Sequence, residues 1–179
     1  YVPVWQMKQK GIPVDEILKV LKPLLEPDLP VLVGQNLKFD YSVLMLNDVK
    51  PNVPKFDTMI AAHLLNPNEK RFNLDELATK YLGYKMISYK EVTATVLGGD
   101  FRNVPLEKAA RYSVEDAVIA LRLFEVLSKR LYEEELLEVF ERVEMPVVNV
   151  LAKMELTGVY VDVEYLKELS RKYEEKMEK

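Results

Sequence analysis

At 179 residues the chain has room for one ordinary domain, or for one domain and a piece of another. Hydrophobic residues make up 49% and charged residues 30%, a balance that sets a real core under a solvated surface and excludes a disordered chain. With no cysteine and a single histidine, disulfides, thiolate zinc sites and multi-histidine centres are excluded, and a net charge of −4 argues against a module that grips nucleic acid through bulk charge. An enzyme that meets phosphates through carboxylate-bound metal remains compatible with that acidity. No apolar run approaches the roughly 20 residues needed to span a membrane, and no signal peptide is visible, so the expected location is cytoplasmic. Both ends, Tyr1 rather than Met and a helical pattern running to Lys179, read as cuts in a longer protein.

The opening Tyr-Val-Pro-Val-Trp5 is apolar and β-prone, the end of a strand. Pro13 followed by Asp15 and Glu16 starts a helix, with Ile17, Leu18, Leu21, Leu24 and Leu25 as its buried face and Pro23 as a bend or early end. Pro30-Val-Leu-Val-Gly34 reads as a strand buried on both faces. A helix follows over 37–46, then a short strand ending at Phe56. Asp57 caps a helix running to Leu65, which Asn66-Pro67-Asn68 stops. A short helix over 74–82 ends at Gly83, and 84–103 is irregular with Gly98-Gly99 in a turn. Pro105 opens a long helix to Tyr132. A second helix runs over 134–156 and stops at Thr157-Gly158. Val159-Tyr-Val161 reads as a short strand, and Asp162 caps the last helix. Strands alternating with helices, followed by helices alone, predict an α/β layer over 1–133 and the start of a separate helical domain over 134–179.

Two aspartates stand out against this pattern. Asp40 lies between Leu37 and Leu44 on one predicted face, with Asn36 four residues before it. Asp116 interrupts the stripe Ala109, Tyr112, Ile119, Ala120 and Leu123. A lone ionised carboxylate on a buried face costs several kcal/mol unless paired or metal-bound. Spacing alone leaves two readings open: metal ligands, or aspartates that pair with an arginine or cap a backbone group. His63 reads as a partly buried helical residue, Trp5 as core, Lys38 as a surface charge, and Tyr84 and Tyr89 as aromatics that a single strand would have room to stack on.

The surrounding residues carry a resemblance. Val33-Gly-Gln-Asn-Leu-Lys-Phe-Asp40 resembles the second exonuclease motif of the bacterial DNA polymerase I family, and Tyr112-Ser-Val-Glu-Asp116 resembles the third, Tyr-x-x-x-Asp. Phe56-Asp-Thr-Met59 and Arg71-Phe-Asn-Leu-Asp-Glu-Leu77 fit the family pattern in the same order. Glu144-Met-Pro-Val-Val-Asn-Val-Leu151 and Thr157-Gly-Val-Tyr-Val-Asp162 resemble the entry into its polymerase domain. The resemblance implies a ribonuclease-H-like α/β fold, N-terminally truncated and followed by polymerase helices. It also implies a 3′–5′ proofreading exonuclease with two Mg²⁺ or Mn²⁺ ions. Asp116 would bind the first ion directly and Asp40 the second, largely through waters. Tyr112 would orient the attacking water, and Gln35, Asn36 and Arg71 would contact the last nucleotides of a single-stranded or frayed DNA 3′ end. The expected partners are that DNA and the rest of a polymerase chain, with no membrane.

The family's first motif, Asp-x-Glu, supplies two further ligands. None occurs between Tyr1 and Asn36, and Asp162-Val-Glu164 lies too far downstream and reads as a helix cap. The expectation is therefore weak metal binding and little nuclease activity from these residues alone. The alternative is a vestigial, exonuclease-like scaffold that supports a polymerase without cutting.

Overall fold

The chain begins in a small antiparallel ladder, β1 (Trp5–Gln6) against β2 (Gln9–Lys10), rather than in a strand over the first five residues. This computed structural model describes residues 1–6, 9–25, 32–51, 56–94 and 96–177; the side chain of Trp5 and residues Pro30 and Val31 lie outside what is described. Helix α1 (Val14–Leu25) carries Asp15 and Glu16 in its first turn and keeps Pro23 within its last. None of its residues is fully buried, so Ile17, Leu18, Leu21 and Leu25 are half-covered and Leu24 is exposed.

The centre is a parallel pair. β3 (Val33–Gly34) lies beside β4 (Phe56–Asp57), Val33 opposite Phe56 and Gly34 opposite Asp57. β4 is buried, but β3 is only half-buried, which corrects the expectation of a strand covered on both faces. Each strand runs straight into a helix, α2 (Leu37–Leu46) after β3 and α3 (Thr58–Leu65) after β4. α4 (Leu74–Leu77) continues into a π-helical turn, Ala78–Leu82, and ends at Gly83, whose φ of 63° is the left-handed conformation that favours glycine at a helix end.

The segment expected to be irregular holds a helix, α5 (Tyr89–Thr93). Ser88 accepts from the Glu91 N–H while the Glu91 carboxylate accepts from the Ser88 N–H, a closed capping box. α6 (Leu106–Glu133) is the long helix. Its Ile119, Leu123, Leu127 and Leu131 pack with Phe56, Ala61, Ala62, Leu65 and Leu77 in the main core. The chain then turns at Glu135, with φ 57°, into α7 (Leu137–Val139), a π-helical turn (Phe140–Glu144) and α8 (Met145–Thr157). Pro146 has no N–H and its ring crowds the carbonyl four residues back, so the wider turn before it relieves both problems.

α8 is not separate from what precedes it. Phe140, Met145 and Val148 belong to the same buried core as Phe56, and the Phe56 and Phe140 rings lie 4.8 Å apart. Ala152 packs with Leu37 and Tyr41 of α2. After Gly158 the chain leaves the core. Val159 and Tyr160 are 87% and 92% exposed and lie in no strand. α9 (Val163–Met177) buries none of its residues. No described helix is long and apolar enough to cross a membrane.

Candidate active site

One buried carboxylate organises the elements that carry the site. Asp57, at the end of β4, is 1% exposed and accepts from three backbone amides: Met59 N at 2.9 Å, Asn36 N at 3.0 Å and Leu37 N at 2.7 Å. The first bond caps α3, as the sequence predicts. The other two cap α2, whose own N-cap residue, Asn36, is left-handed (φ 56°) and makes no side-chain cap. Asp57 therefore fixes the start of the helix that carries Asp40. Burial lifts the Asp57 pKa above the ordinary carboxylate value, and the backbone donors oppose that rise.

Gln35 is held nearby. Its Nε2 donates to the Phe72 carbonyl at 2.7 Å, and the Thr58 hydroxyl lies within hydrogen-bonding distance of both Gln35 Oε1 and the Gly34 carbonyl. The Gln35 amide thus ties β3 to the 71–73 stretch and to α3. Lys38, expected to be a plain surface charge, reaches Glu155 on α8 at 2.5 Å and links α2 to that helix.

Between the start of α2 and α6 opens a cleft of about 570 Å³. One side is built by Gln35, Leu37 and Asp40 and another by Tyr112, Asp116, Ala117 and Ala120 of α6; Asp75 and the stretch from Met86 to Tyr89 complete it. Asp40 and Asp116, 76 positions apart, thereby face one space. The spacing places Asp40 on the buried face of α2, and the structure corrects this. That face is Leu37 and Tyr41, and Asp40 sits beside it at an exposed position on the cleft rim. Desolvation by the cleft walls still raises its pKa, and the Asp57 carboxylate adds to the rise.

Asp116 lies deeper, half-buried as its stripe predicts. Its pKa is pushed up to about 6, first by burial and then by the adjacent Glu115, against a lowering hydrogen bond with Tyr112. The Tyr112 hydroxyl is pushed up to about 12 by burial and by the same Asp116 charge. Tyr112, one turn before Asp116, thus remains a neutral donor beside it. It packs against Phe101 at 5.7 Å and Tyr89 at 6.4 Å, and Tyr89 stacks on Phe101.

Two carboxylates elevated by desolvation and facing one cleft are suited to a hard divalent cation, which takes oxygen ligands. Among the described residues no three acids or histidines converge closely enough to hold a metal ion. Asp40 and Asp116 are donors of the right chemistry for such an ion.

Residues 4–132 match the family model of the DNA polymerase A 3′–5′ exonuclease. The chain belongs to that exonuclease family.

Its relatives are of one kind. This exonuclease-family chain is 42% identical over 167 residues to a DNA polymerase I of Borreliella burgdorferi, covering 93% of the chain and 18% of the relative. It is 37% identical to that of Treponema pallidum, covering 89% and 16%, and 36% identical to that of Pseudomonas aeruginosa, covering 99% and 20%. The chain therefore spans a fifth or less of the length of these relatives. Among solved structures it superimposes on the POL domain of Pol1 from M. smegmatis, in complex with DNA primer-template and dNTP. The TM-score is 0.71 at 25% identity, over 93% of this chain and 25% of that one. The small central sheet with its helices fits a ribonuclease-H-like exonuclease fold followed by polymerase helices.

Not every residue singled out in the sequence joins the cleft. Arg71 lines a second hollow with Lys70, Glu76, Lys80 and Tyr81, and its side chain is 74% exposed at 3.4 Å from Glu76. Asn36 precedes α2 in a left-handed turn, not one helical turn below Asp40. His63 is exposed, with its ring 5.2 Å from Phe72, so the partly buried reading fails. Tyr84 donates to Glu115 at 2.8 Å, whereas Tyr89 lines the cleft. Sequence reasoning missed Asp75, Glu115 and the second cap made by Asp57. The Ser88-x-x-Glu91 pattern was the available signal for the cleft wall; nothing local signals a carboxylate that caps a helix 20 residues upstream.

Proposed function

We propose that this chain is the 3′–5′ proofreading part of a DNA polymerase I, whose task is hydrolysis of the 3′-terminal phosphodiester of a single-stranded or frayed DNA end. The observation that carries the reading is the meeting of Asp40, Tyr112 and Asp116 in one cleft within a chain of this family. Asp116 and Asp40 are the residues that would hold Mg²⁺ or Mn²⁺, and a bound ion there would supply charge stabilisation and an activated water. Tyr112, protonated throughout the physiological range, would donate to and orient that water. Gln35, pinned at both ends of its amide, supports the cleft floor beside the last nucleotide. Asn36 offers a contact at the rim, and Arg71 reaches a phosphate farther along the strand.

The division we propose places the exonuclease part at 1–133 and the start of the polymerase part at 134–179, the remainder of a polymerase chain being the natural partner of the exposed face of α9. The location is cytoplasmic. With two carboxylates as donors, the chain by itself binds metal weakly and trims little. The test is a 3′-end assay on a labelled single strand with Mg²⁺ or Mn²⁺, run beside Asp116→Asn. Trimming is expected to be slow, abolished by chelator and absent in the variant. Robust trimming would overturn the weak-activity reading, and trimming that survives in Asp116→Asn would overturn the site. The scaffold alternative predicts no metal-dependent signal at all, including no rise in melting temperature on adding Mn²⁺.

A further inference from the structure

Glu115 precedes Asp116 on α6 and does not line the cleft. Both of its oxygens are nonetheless engaged by one short stretch of the cleft lining outside α6. Oε2 accepts from the Ile87 N–H at 2.8 Å, and Oε1 accepts from the Tyr84 hydroxyl at 2.8 Å. That stretch connects Gly83, where the preceding helix ends, to the Ser88 cap of α5. It carries Met86, Ile87 and Ser88, which line the same cleft as Asp40 and Asp116. Met86 and Val92 are buried and Ser88 is fixed by its capping box with Glu91, so the wall is anchored at its back and at its far end, but Ile87 between them has no strand or helix ladder to hold it. A carboxylate taking two donors from a non-repetitive segment fixes both position and orientation, and hydrogen bonds to a charged acceptor are about twice as strong as neutral ones.

We propose that Glu115 is a positioning residue that clamps the 84–88 stretch onto α6 and thereby sets the width of the cleft in which the DNA end is held. The inference rests on the proposed function for what the cleft holds, and on geometry alone for the clamp. Loss of the clamp frees the wall to move away from Tyr112 and Asp116, so a strand end bound between them loses one side of its seat.

The experiment compares the full chain with Glu115→Ala, Glu115→Gln and Tyr84→Phe. The Ile87 amide is followed by ¹⁵N–¹H NMR, and binding of a short single-stranded oligothymidylate by fluorescence anisotropy, at a temperature where circular dichroism shows every variant folded. In Glu115→Ala the Ile87 amide is expected to move upfield and lose exchange protection. Oligonucleotide affinity is expected to fall by about tenfold, the equivalent of one lost charged hydrogen bond. Glu115→Gln keeps one acceptor and falls between. Tyr84→Phe leaves the Ile87 bond and hence its resonance in place. An Ile87 amide that stays protected in Glu115→Ala overturns the clamp, and unchanged affinity in that variant overturns its role in the cleft. A wild-type chain that does not bind the oligonucleotide overturns the functional reading instead, while the Ile87 resonance still decides the clamp.

Discussion

Asp116 bears a cost that its proposed role explains. A carboxyl whose pKa is pushed from 3.8 to about 6 by burial binds a proton more tightly in the folded chain than in the unfolded one. The sign follows from linkage. Below pH 4 both states are protonated and the group is neutral for stability. Between pH 4 and 6 the folded state retains a proton that the unfolded state has lost, so stability falls as pH rises. Above pH 6 the penalty is complete. Because Asp116 is partly open to the cleft, screening reduces the penalty to about 1 kcal/mol. In chelator, Asp116→Asn should therefore be more stable than the wild type at pH 7.5 by about that amount and equal to it near pH 4. Urea unfolding at the two pH values checks this; a variant less stable at pH 7.5 contradicts it.

At the scale of elements, the site depends on how two strands hand over to two helices. β3 and β4 are two residues each, too short to be rigid through their ladder alone. Asp57 compensates by joining them: its carboxylate holds the first amides of α2 and α3 together, so Asp40 is placed by a residue 17 positions away. Removing it leaves three buried or half-buried donors without a partner, each costing roughly 1–3 kcal/mol when unsatisfied, offset in part by entering water. Asp57→Ala should cost about 3 kcal/mol, by the same principle and by the upper range for caps. It should also expose the Leu37 amide to hydrogen exchange before the amides of α6. Equal protection of Leu37 in variant and wild type would show that α2 is held by its packing on α8 instead. Lys38–Glu155 is a surface pair and contributes little beside this.

For the whole molecule, the packed unit and the proposed division of domains do not coincide. The family match ends at residue 132, yet Phe140, Met145 and Val148 lie in the same core as Phe56 and Leu123. α9, in contrast, buries nothing. A chain ending at Gly158 should keep the melting temperature of the full chain, since removing exposed helix changes stability by only about 0.5 kcal/mol. A chain ending at Glu134 loses Phe140, Met145, Val148 and Ala152 from the core, and removal of one buried Phe side chain alone costs about 3–5 kcal/mol. Calorimetry on the two shortened chains measures both. If the shorter one melts with the full chain, α7 and α8 are dispensable and the core is carried by α3 and α6.

Much of this was legible in the chain because it is local. The spans of α2, α3 and α6, the stop at Gly83 and the cap at Asp57 follow from periodicity, helix-end chemistry and proline placement, which act over a few residues. The chemistry around Asp40 and Asp116 was legible through the family resemblance of the residues that flank them, where spacing alone left two readings open. Other features depend on what lies across space. Whether Val159–Val161 becomes a strand depends on a partner. Whether Asp40 is on a core face or a rim depends on where α8 covers α2. Whether Arg71 reaches the cleft depends on how the 66–73 turn runs. By itself the sequence determined the family, the longer helices and the two aspartates. The tertiary structure alone decided that those aspartates face one cleft, that Asp57 and Glu115 hold its walls, and that α8 belongs to the core. These last are contacts between residues far apart in sequence, and nothing in a local pattern specifies its distant partner.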